Sequence, residues 1–193
     1  MKKLIIGWFT FTCSEDSTML MIEALNQHWQ NWTKLIDFKY AKALRTINPL
    51  GPMDIAFVEG AISSSKQEEK LKHIRSLAKT LVAIGSCAVT GQPAGQRNNF
   101  DPQQLQEIKP VLEKFNFSPQ ARKLTDIIKI DYSIPGCPMD EQKFIDLTNK
   151  LINENKIKPA MDAEGRGTPK KGPLVGFLGG KPKAEFVAGD IHA

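Results

Sequence analysis

The sequence predicts an α/β domain in which a mostly parallel five-stranded sheet carries helices on both faces. Short apolar runs alternate along the chain with longer stretches whose apolar residues recur at helical spacing. The 193 residues are 41% hydrophobic and 24% charged, which is typical of a globular chain with a buried core. Because parallel strands need a crossover, usually a helix, between them, this alternation favours a parallel sheet.

The strands of this sheet are expected in five apolar runs. The second run has one more polar face, as at a sheet edge. The five runs are residues 4–8, 34–40, 54–58, 81–84 and 126–130.

Helix start signals precede the stretches between these strands. Ser17 or Thr18 is expected to cap a helix that continues to about Trp29. Ser65 and Glu68 have the spacing of a capping box at the start of a second helix.

Two further signals complete the order of elements. Asp101 followed by Pro102 indicates an N-cap and a first helical turn, and Asp140 is expected to cap the last helix. Five strands alternating with these helices favour a doubly wound sheet with the flavodoxin-like strand order.

The composition changes near the end of the chain. Residues 159–193 hold seven of the fourteen glycines and four of the twelve prolines. We therefore predict two parts, a folded domain over residues 1–158 and an extended Gly/Pro-rich tail over residues 159–193, which orders against a partner.

Composition and charge exclude several classes of protein. The net charge is +5 and the pI is about 9.1, but the lysines are spread along the chain without interleaved aromatics, so no nucleic-acid partner is expected. No run of about 18 apolar residues is present, which predicts no direct membrane insertion. The apolar run near the start is too short for a signal peptide, so we expect a cytoplasmic protein.

Three widely spaced cysteines follow the ends of predicted strands. Cys13 follows the first strand, Cys87 the fourth and Cys137 the fifth, and a glycine shortly precedes the last two. Since the carboxyl ends of parallel strands meet at one edge of a sheet, the three thiols are expected in one crevice. Thiolates are the ligands of iron–sulfur clusters, so we predict such a site here.

A four-iron cluster needs a fourth ligand. Asp16, three residues after Cys13, is the first candidate, and Glu15 is a weaker one. A cap on the following helix is an equally good interpretation of Asp16. Glu59 ends the third strand and should face the same crevice, as a hydrogen-bond acceptor for loop amides.

A structural zinc site is not expected. Local pairs of cysteines are absent, and His28, His73 and His192 fall on predicted helices and in the tail. His28 and His73 are expected at the surface or at an interface.

At the cysteine loops the sequence resembles the small subunit of nickel–iron hydrogenases and the related quinone-proximal iron–sulfur subunit of respiratory complex I. The resemblance extends from residue 3 to about residue 153. The segments that carry it are residues 7–18, 54–62, 81–88 and 134–138.

The resemblance implies a flavodoxin-like domain that binds one 4Fe–4S cluster through Cys13, Cys87, Cys137 and position 16. That position is normally cysteine in the family and is Asp16 here, which implies three cysteine ligands and one aspartate ligand. The chain has no later cysteines for further clusters. It therefore resembles the short, single-cluster type, whose expected partners are a hydrogenase large subunit and a further electron-carrier subunit. The resemblance also suggests that Glu59 lies near the subunit interface.

Two alternatives remain open on sequence alone. A complex I-like quinone-oxidoreductase subunit usually has two adjacent cysteines in the first loop, whereas Ser14 follows Cys13 here. A flavin-binding flavodoxin-like protein would use the hydroxyl groups of the first loop for phosphate, but it leaves Cys87 and Cys137 without a role.

Overall fold

Five parallel strands form the sheet of the protein, whose computed structural model describes residues 3–157. The strand order is β2-β1-β3-β4-β5, and every pair of neighbours is parallel. The predicted α/β class and flavodoxin-like order are confirmed. The strands are β1 (Leu4–Thr10), β2 (Ile36–Ala41), β3 (Met53–Glu59), β4 (Ala78–Ile84) and β5 (Tyr132–Ile134).

Helices connect the strands and cover the sheet. Short 3₁₀ turns at Gln96–Asn99 and Leu124–Asp126 accompany them. The α-helices are α1 (Asp16–Gln27), α2 (Trp29–Leu35), α3 (Ser65–Leu77), α4 (Gly85–Thr90), α5 (Pro102–Lys114) and α6 (Glu141–Ile157).

The core lies in two layers, one on each face of the sheet. Successive side chains of a strand point to opposite faces, so Phe57 packs with the Trp8 layer while Val58 packs with the Phe9 layer. In the first layer Phe144 of α6 makes edge-on contacts with the rings of Trp8, Trp32 and Phe57. Burial on both faces explains why β1, β3 and β4 are apolar runs rather than alternating patterns.

The prediction of the fifth strand is wrong. Residues 126–130 are predicted to form it, but this segment begins at the last residue of the 3₁₀ turn Leu124–Asp126, and β5 begins only at Tyr132. Ile127, Ile128 and Ile130 are half-buried against the core. Their apolar character therefore reflects packing and not a place in the hydrogen-bonded ladder.

Two predicted helix caps are also wrong. Ser64, one residue before the predicted Ser65, caps α3 by accepting a hydrogen bond from the Gln67 N–H at 3.3 Å. Neither Ser17 nor Thr18 caps α1, because both lie inside that helix.

The other two predicted caps are confirmed. Asp101 and Gln104 form a complete capping box at the start of α5. Asp140 accepts from the Lys143 N–H at 3.0 Å at the start of α6.

The predicted tail over residues 159–193 lies outside the described residues, as does His192. Within residues 3–157, no helix combines the length and apolarity needed to cross a membrane.

Candidate metal centre

A narrow crevice, open to solvent, lies at the carboxyl edge of the sheet. It adjoins the ends of β1 and β3, where the strand order reverses, and open α/β sheets bind ligands at such switch points. Its lining residues are Cys13, Ser14, Asp16, Ser17, Glu59, Ile84, Gly85, Ser86, Cys87, Gly136, Cys137 and Pro138.

The crevice brings together the three cysteines that the sequence singled out. Cys87 is buried, Cys13 is half-buried and Cys137 is exposed, and none of them is in a disulfide. Cys13 and Cys87 are 74 positions apart in the sequence, and Cys87 and Cys137 are 50 apart. All three nevertheless line one crevice, as a parallel sheet predicts.

The start of α4, which carries Cys87, is held to the Cys137 loop through the backbone. Gly85 begins α4 with a φ of 77°, and Gly136 directly before Cys137 has a φ of 123°. The Ser86 N–H donates to the Gly136 carbonyl at 2.7 Å. Positive φ angles are cheap only for glycine, so these two residues let each chain turn back sharply into the crevice.

Asp16 lines the crevice, whereas Glu15 does not. Asp16 is the first residue of α1 and its carboxylate accepts from the Ser14 hydroxyl at 2.9 Å. Glu15 occupies the N-cap position with a φ of 64°, and α1 has no side-chain cap. The interpretation of Asp16 as a helix cap is therefore wrong.

Glu59 is buried at the end of β3, with an exposed fraction of 3%. Its carboxylate accepts from the Ser17 N–H at 3.2 Å and from the Thr18 hydroxyl at 2.8 Å. Thr18 in turn accepts from the Trp8 indole N–H at 2.8 Å. Glu59 therefore accepts from an amide in the first turn of α1 and not from a loop amide.

Burial controls the protonation of these groups. Burial, with a smaller contribution from the charge of Glu59, raises the pKa of the Cys13 thiol to about 12. Burial also raises the pKa of Cys87, helped by the charges of Cys137, Glu59 and Asp16. Both thiols are therefore protonated at neutral pH in the metal-free protein, and binding a metal as thiolates releases their protons.

The crevice lining offers three thiols and one carboxylate as donors. Thiolates are the ligands of iron–sulfur clusters, so these side chains fit such a group. Within residues 3–157, no three His, Cys, Asp or Glu side chains lie close enough together to hold one metal ion.

Neither of the two described histidines belongs to the crevice lining. His28 is half-buried and stacks on Trp32 with ring centroids 5.0 Å apart, while His73 is exposed on α3.

Sequence reasoning missed the role of Ser17. It is buried and its hydroxyl accepts from the Met139 N–H at 3.2 Å, which joins the first cysteine loop to the third. The only signal was a serine next to a candidate ligand, and that signal fits a helix cap equally well.

The fold and crevice define an all-parallel flavodoxin-like domain with a cysteine-lined site at its switch point. The profile of the family described as NADH ubiquinone oxidoreductase, 20 Kd subunit, matches residues 13–151. The chain belongs to this family, which confirms the resemblance found in the sequence.

Similar proteins include subunits of hydrogenases. The delta subunit of the NAD-reducing hydrogenase HoxS of Cupriavidus necator is 31% identical over 121 residues, which cover 51% of this chain and 55% of that protein. The F420-non-reducing hydrogenase vhu of Methanocaldococcus jannaschii has a subunit that is 29% identical over 123 residues, covering 55% of this chain and 41% of that protein. This chain spans about half the length of the curated relatives it matches.

A solved structure has the same fold. A chain of an NAD⁺-reducing nickel–iron hydrogenase in the H₂-reduced state superposes with a TM-score of 0.67 at 22% identity, covering 86% of this chain and 98% of that one.

Proposed function

We propose that this chain is the electron-transfer small subunit of a nickel–iron hydrogenase complex and binds one iron–sulfur cluster. The observation that supports this most strongly is that Cys13 of the β1–α1 loop, Cys87 of α4 and Cys137 of the β5–α6 loop line one crevice. The family membership and the hydrogenase relatives support the same conclusion.

The chain's own residues would bind and enclose the cluster. Cys13, Cys87 and Cys137 would supply three thiolates, and Asp16 would supply a carboxylate as the fourth ligand. When bound, a 4Fe–4S cluster would supply one-electron transfer at a potential set by its ligands, hydrogen bonds and exposure. A carboxylate in place of the fourth thiolate changes both the charge and the softness of that ligand set.

The proposed partners are a large subunit, which would carry the catalytic nickel–iron site, and a further electron-carrier subunit. Cys137 is exposed at the crevice, so a partner seated there would shield this side of the site from water. The reaction with substrate would take place on the partner subunits, and no side chain of this chain would take part in it.

The family's description favours one second candidate, a complex I-like quinone-oxidoreductase subunit. It differs in its partner and electron acceptor, while the cluster-binding crevice would be the same. The hydrogenase relatives favour the first candidate.

The first experiment measures the cofactor and the partner together. Protein purified anaerobically should contain iron and sulfide and show broad visible absorbance from sulfur-to-iron charge transfer. A yellow flavin spectrum without iron would contradict both candidates. A co-purified nickel-containing chain supports the hydrogenase assignment, whereas a nickel-free partner with quinone reductase activity supports the second.

The second experiment tests the fourth ligand. Asp16→Ala should lower iron content and alter the electron paramagnetic resonance spectrum, and Asp16→Cys should restore iron with a different spectrum. Glu15→Ala is the matched control, since Glu15 is a neighbouring carboxylate outside the crevice lining. If both Asp16 variants keep the wild-type spectrum and iron content, Asp16 is not a ligand; if Glu15→Ala alone changes them, Glu15 is.

A further inference from the structure

Ser17 lies where the three cysteine loops meet. It is 2% exposed and sits in the first turn of α1, four residues after Cys13. Its N–H donates to the Glu59 carboxylate at 3.2 Å, and its hydroxyl oxygen accepts from the Met139 N–H at 3.2 Å. One residue thus ties the Cys13 loop to the end of β3 and to the Cys137 loop.

The Ser17 hydroxyl also lies against Gly85, which begins α4 two residues before Cys87. A Cβ atom added at Gly85 would lie 3.2 Å from the Ser17 hydroxyl oxygen and 3.5 Å from the Gly136 carbonyl oxygen. A side chain at this position would therefore be in tight contact with the Ser17 hydroxyl and in van der Waals contact with the Gly136 carbonyl. Gly85 therefore allows the Ser17 hydroxyl to approach the start of α4 directly.

A second hydrogen bond completes the connections between the loops. The Ser86 N–H donates to the Gly136 carbonyl at 2.7 Å, which joins the Cys87 loop to the Cys137 loop. The Cys137 loop is thus held from both sides, by Ser17 through Met139 and by Ser86 through Gly136. A third bond, from the Asp140 N–H to the Pro135 carbonyl at 3.3 Å, lies within the loop itself, and Cys137 is exposed.

We propose that Ser17 is a positioning residue that sets the spacing of the three cysteines before any metal binds. This inference rests on the proposed function for its purpose, although the loop geometry itself does not depend on it. Ser17 acts through Met139 and Glu59 and is not itself a ligand. Sites that bind metals tightly hold their ligands in place through such outer contacts.

Removing the hydroxyl has a definite physical consequence. Met139 is 2% exposed, so Ser17→Ala leaves its buried N–H without the acceptor that it has in the wild type. Loss of one hydrogen bond of ordinary strength changes the equilibrium constant for local opening of a segment about fivefold. The Cys137 loop should therefore open about fivefold more often.

Two variants separate the two connections of Ser17. Ser17→Ala removes the connection to Met139. Glu59→Gln keeps one acceptor oxygen but weakens the connection of Ser17 and Thr18 to β3. Thr148→Val is the control, because Thr148 is 1% exposed on α6 and its hydroxyl has no hydrogen-bond partner among residues 3–157.

Amide hydrogen exchange of the full chain without metal tests the positioning directly. Ser17→Ala should speed exchange over residues 136–140 about fivefold, and Glu59→Gln should speed it mainly over residues 14–18. Thr148→Val should leave both segments as in the wild type. Unchanged exchange over residues 136–140 in Ser17→Ala would overturn the inference.

Reconstituted protein gives the second measurement. Ser17→Ala should lose iron to a chelator about fivefold faster than the wild type and show shifted electron paramagnetic resonance g values, whereas Thr148→Val should match the wild type. Wild-type iron loss and g values in a Ser17→Ala protein whose loop exchanges faster would overturn the part of the inference that concerns the metal. If the wild type takes up no iron and sulfide, the proposed function fails, and the exchange experiment still decides the role of Ser17.

Discussion

Gly85 shows how a single backbone conformation supports the crevice. Its φ of 77° lies in the left-handed region, where a residue with a Cβ costs roughly 1–2 kcal/mol. The glycines in the sequence before Cys87 and Cys137 indicated close backbone approach. The sequence could not indicate that the group approaching Gly85 is the hydroxyl of Ser17.

Gly85→Ala is therefore expected to destabilise the protein. The left-handed φ alone should lower the free energy of unfolding by roughly 1–2 kcal/mol, and the close contact with Ser17 adds to the loss. Urea unfolding of the metal-free protein measures the change. Gly51→Ala is the matched control, because a Cβ there would meet nothing within 4 Å. Equal stability of the two variants would contradict the argument.

Glu59 should make stability depend on pH. Burial raises its pKa above the ordinary 4.5, against the opposing effect of hydrogen bonds from Thr18 and Ser17. The native state therefore holds this proton more tightly than the unfolded chain. The resulting contribution to stability is complete below about pH 4.5 and is lost as the pH rises through the raised pKa.

We expect Glu59→Gln to reduce this pH dependence, since glutamine has no proton to lose. Urea unfolding of the metal-free protein at a series of pH values above 4.5 measures it. Glu23→Gln, at an exposed site on α1, controls for the change in net charge. A Glu59→Gln profile parallel to the wild-type profile would rule out this explanation.

At the scale of elements, the sequence predicted the first four strands to within a few residues but misplaced the fifth. β1, β3 and β4 are buried on both faces, and such strands are visible as apolar runs. Residues 126–130 are equally apolar, yet their side chains cover the core from a non-ladder segment. Periodicity cannot distinguish these cases in a run of five residues.

The start of β5 is instead marked by a polar residue. Asp131 donates its N–H to the Leu81 carbonyl at 2.9 Å, and its carboxylate accepts from the Leu81 N–H at 2.8 Å and pairs with Arg75 at 2.8 Å. These bonds begin the pairing with β4 just before Tyr132. A lone aspartate in a sequence does not indicate such pairing, so the register of β5 is known only from the structure.

The helices α5 and α6 differ in what they bury. Phe144 of α6 is fully buried among aromatic rings, whereas no residue of α5 is buried by the rest of residues 3–157. Both helices have amphipathic sequences, so the pattern alone predicts an apolar face packed on the core for each. Within residues 3–157, only α6 buries that face.

Truncations in the two helices should therefore have unequal costs. Phe144→Ala should lower the free energy of unfolding by about 3–5 kcal/mol, through lost burial and a cavity. Val111→Ala on α5 should change it by less than about 0.5 kcal/mol, because Val111 is 52% exposed. Denaturant unfolding of the two variants compares them. A loss at Val111 as large as that at Phe144 would mean that α5 is packed in the isolated chain.

At the scale of the whole molecule, the sheet topology carries most of the functional information in the sequence. Once five strands are parallel, the residues after β1, β4 and β5 must share one edge, which is why three distant cysteines could be assigned to one crevice. The hydrogen bonds between the loops depend on positions that topology does not specify. Ser17, Ser86 and Met139 are therefore known from the structure alone.

The exposed apolar side chains indicate a surface that a partner covers. Large apolar residues are exposed on α1, α2, the β2–β3 loop and α5 within the described domain, and Met19 on α1 lies one turn after Asp16. Large exposed apolar areas are typical of protein–protein contacts. We therefore expect this chain to form an obligate hetero-oligomer with the proposed large subunit, because these apolar side chains are exposed in the isolated chain.

Met19→Glu should weaken that association without unfolding the chain. Met19 is 61% exposed, so a charge there costs little in the free chain but becomes expensive when a partner buries it. We expect the dissociation constant for the large subunit to rise at least about tenfold, which corresponds to about 1.4 kcal/mol. Co-purification and light scattering after size exclusion measure the complex. Asn26→Glu adds the same charge at an exposed site in the last turn of α1 and should leave the constant nearly unchanged. Equal effects of the two variants would place the interface elsewhere, and a stable wild-type monomer with its cluster intact would contradict the obligate partnership itself.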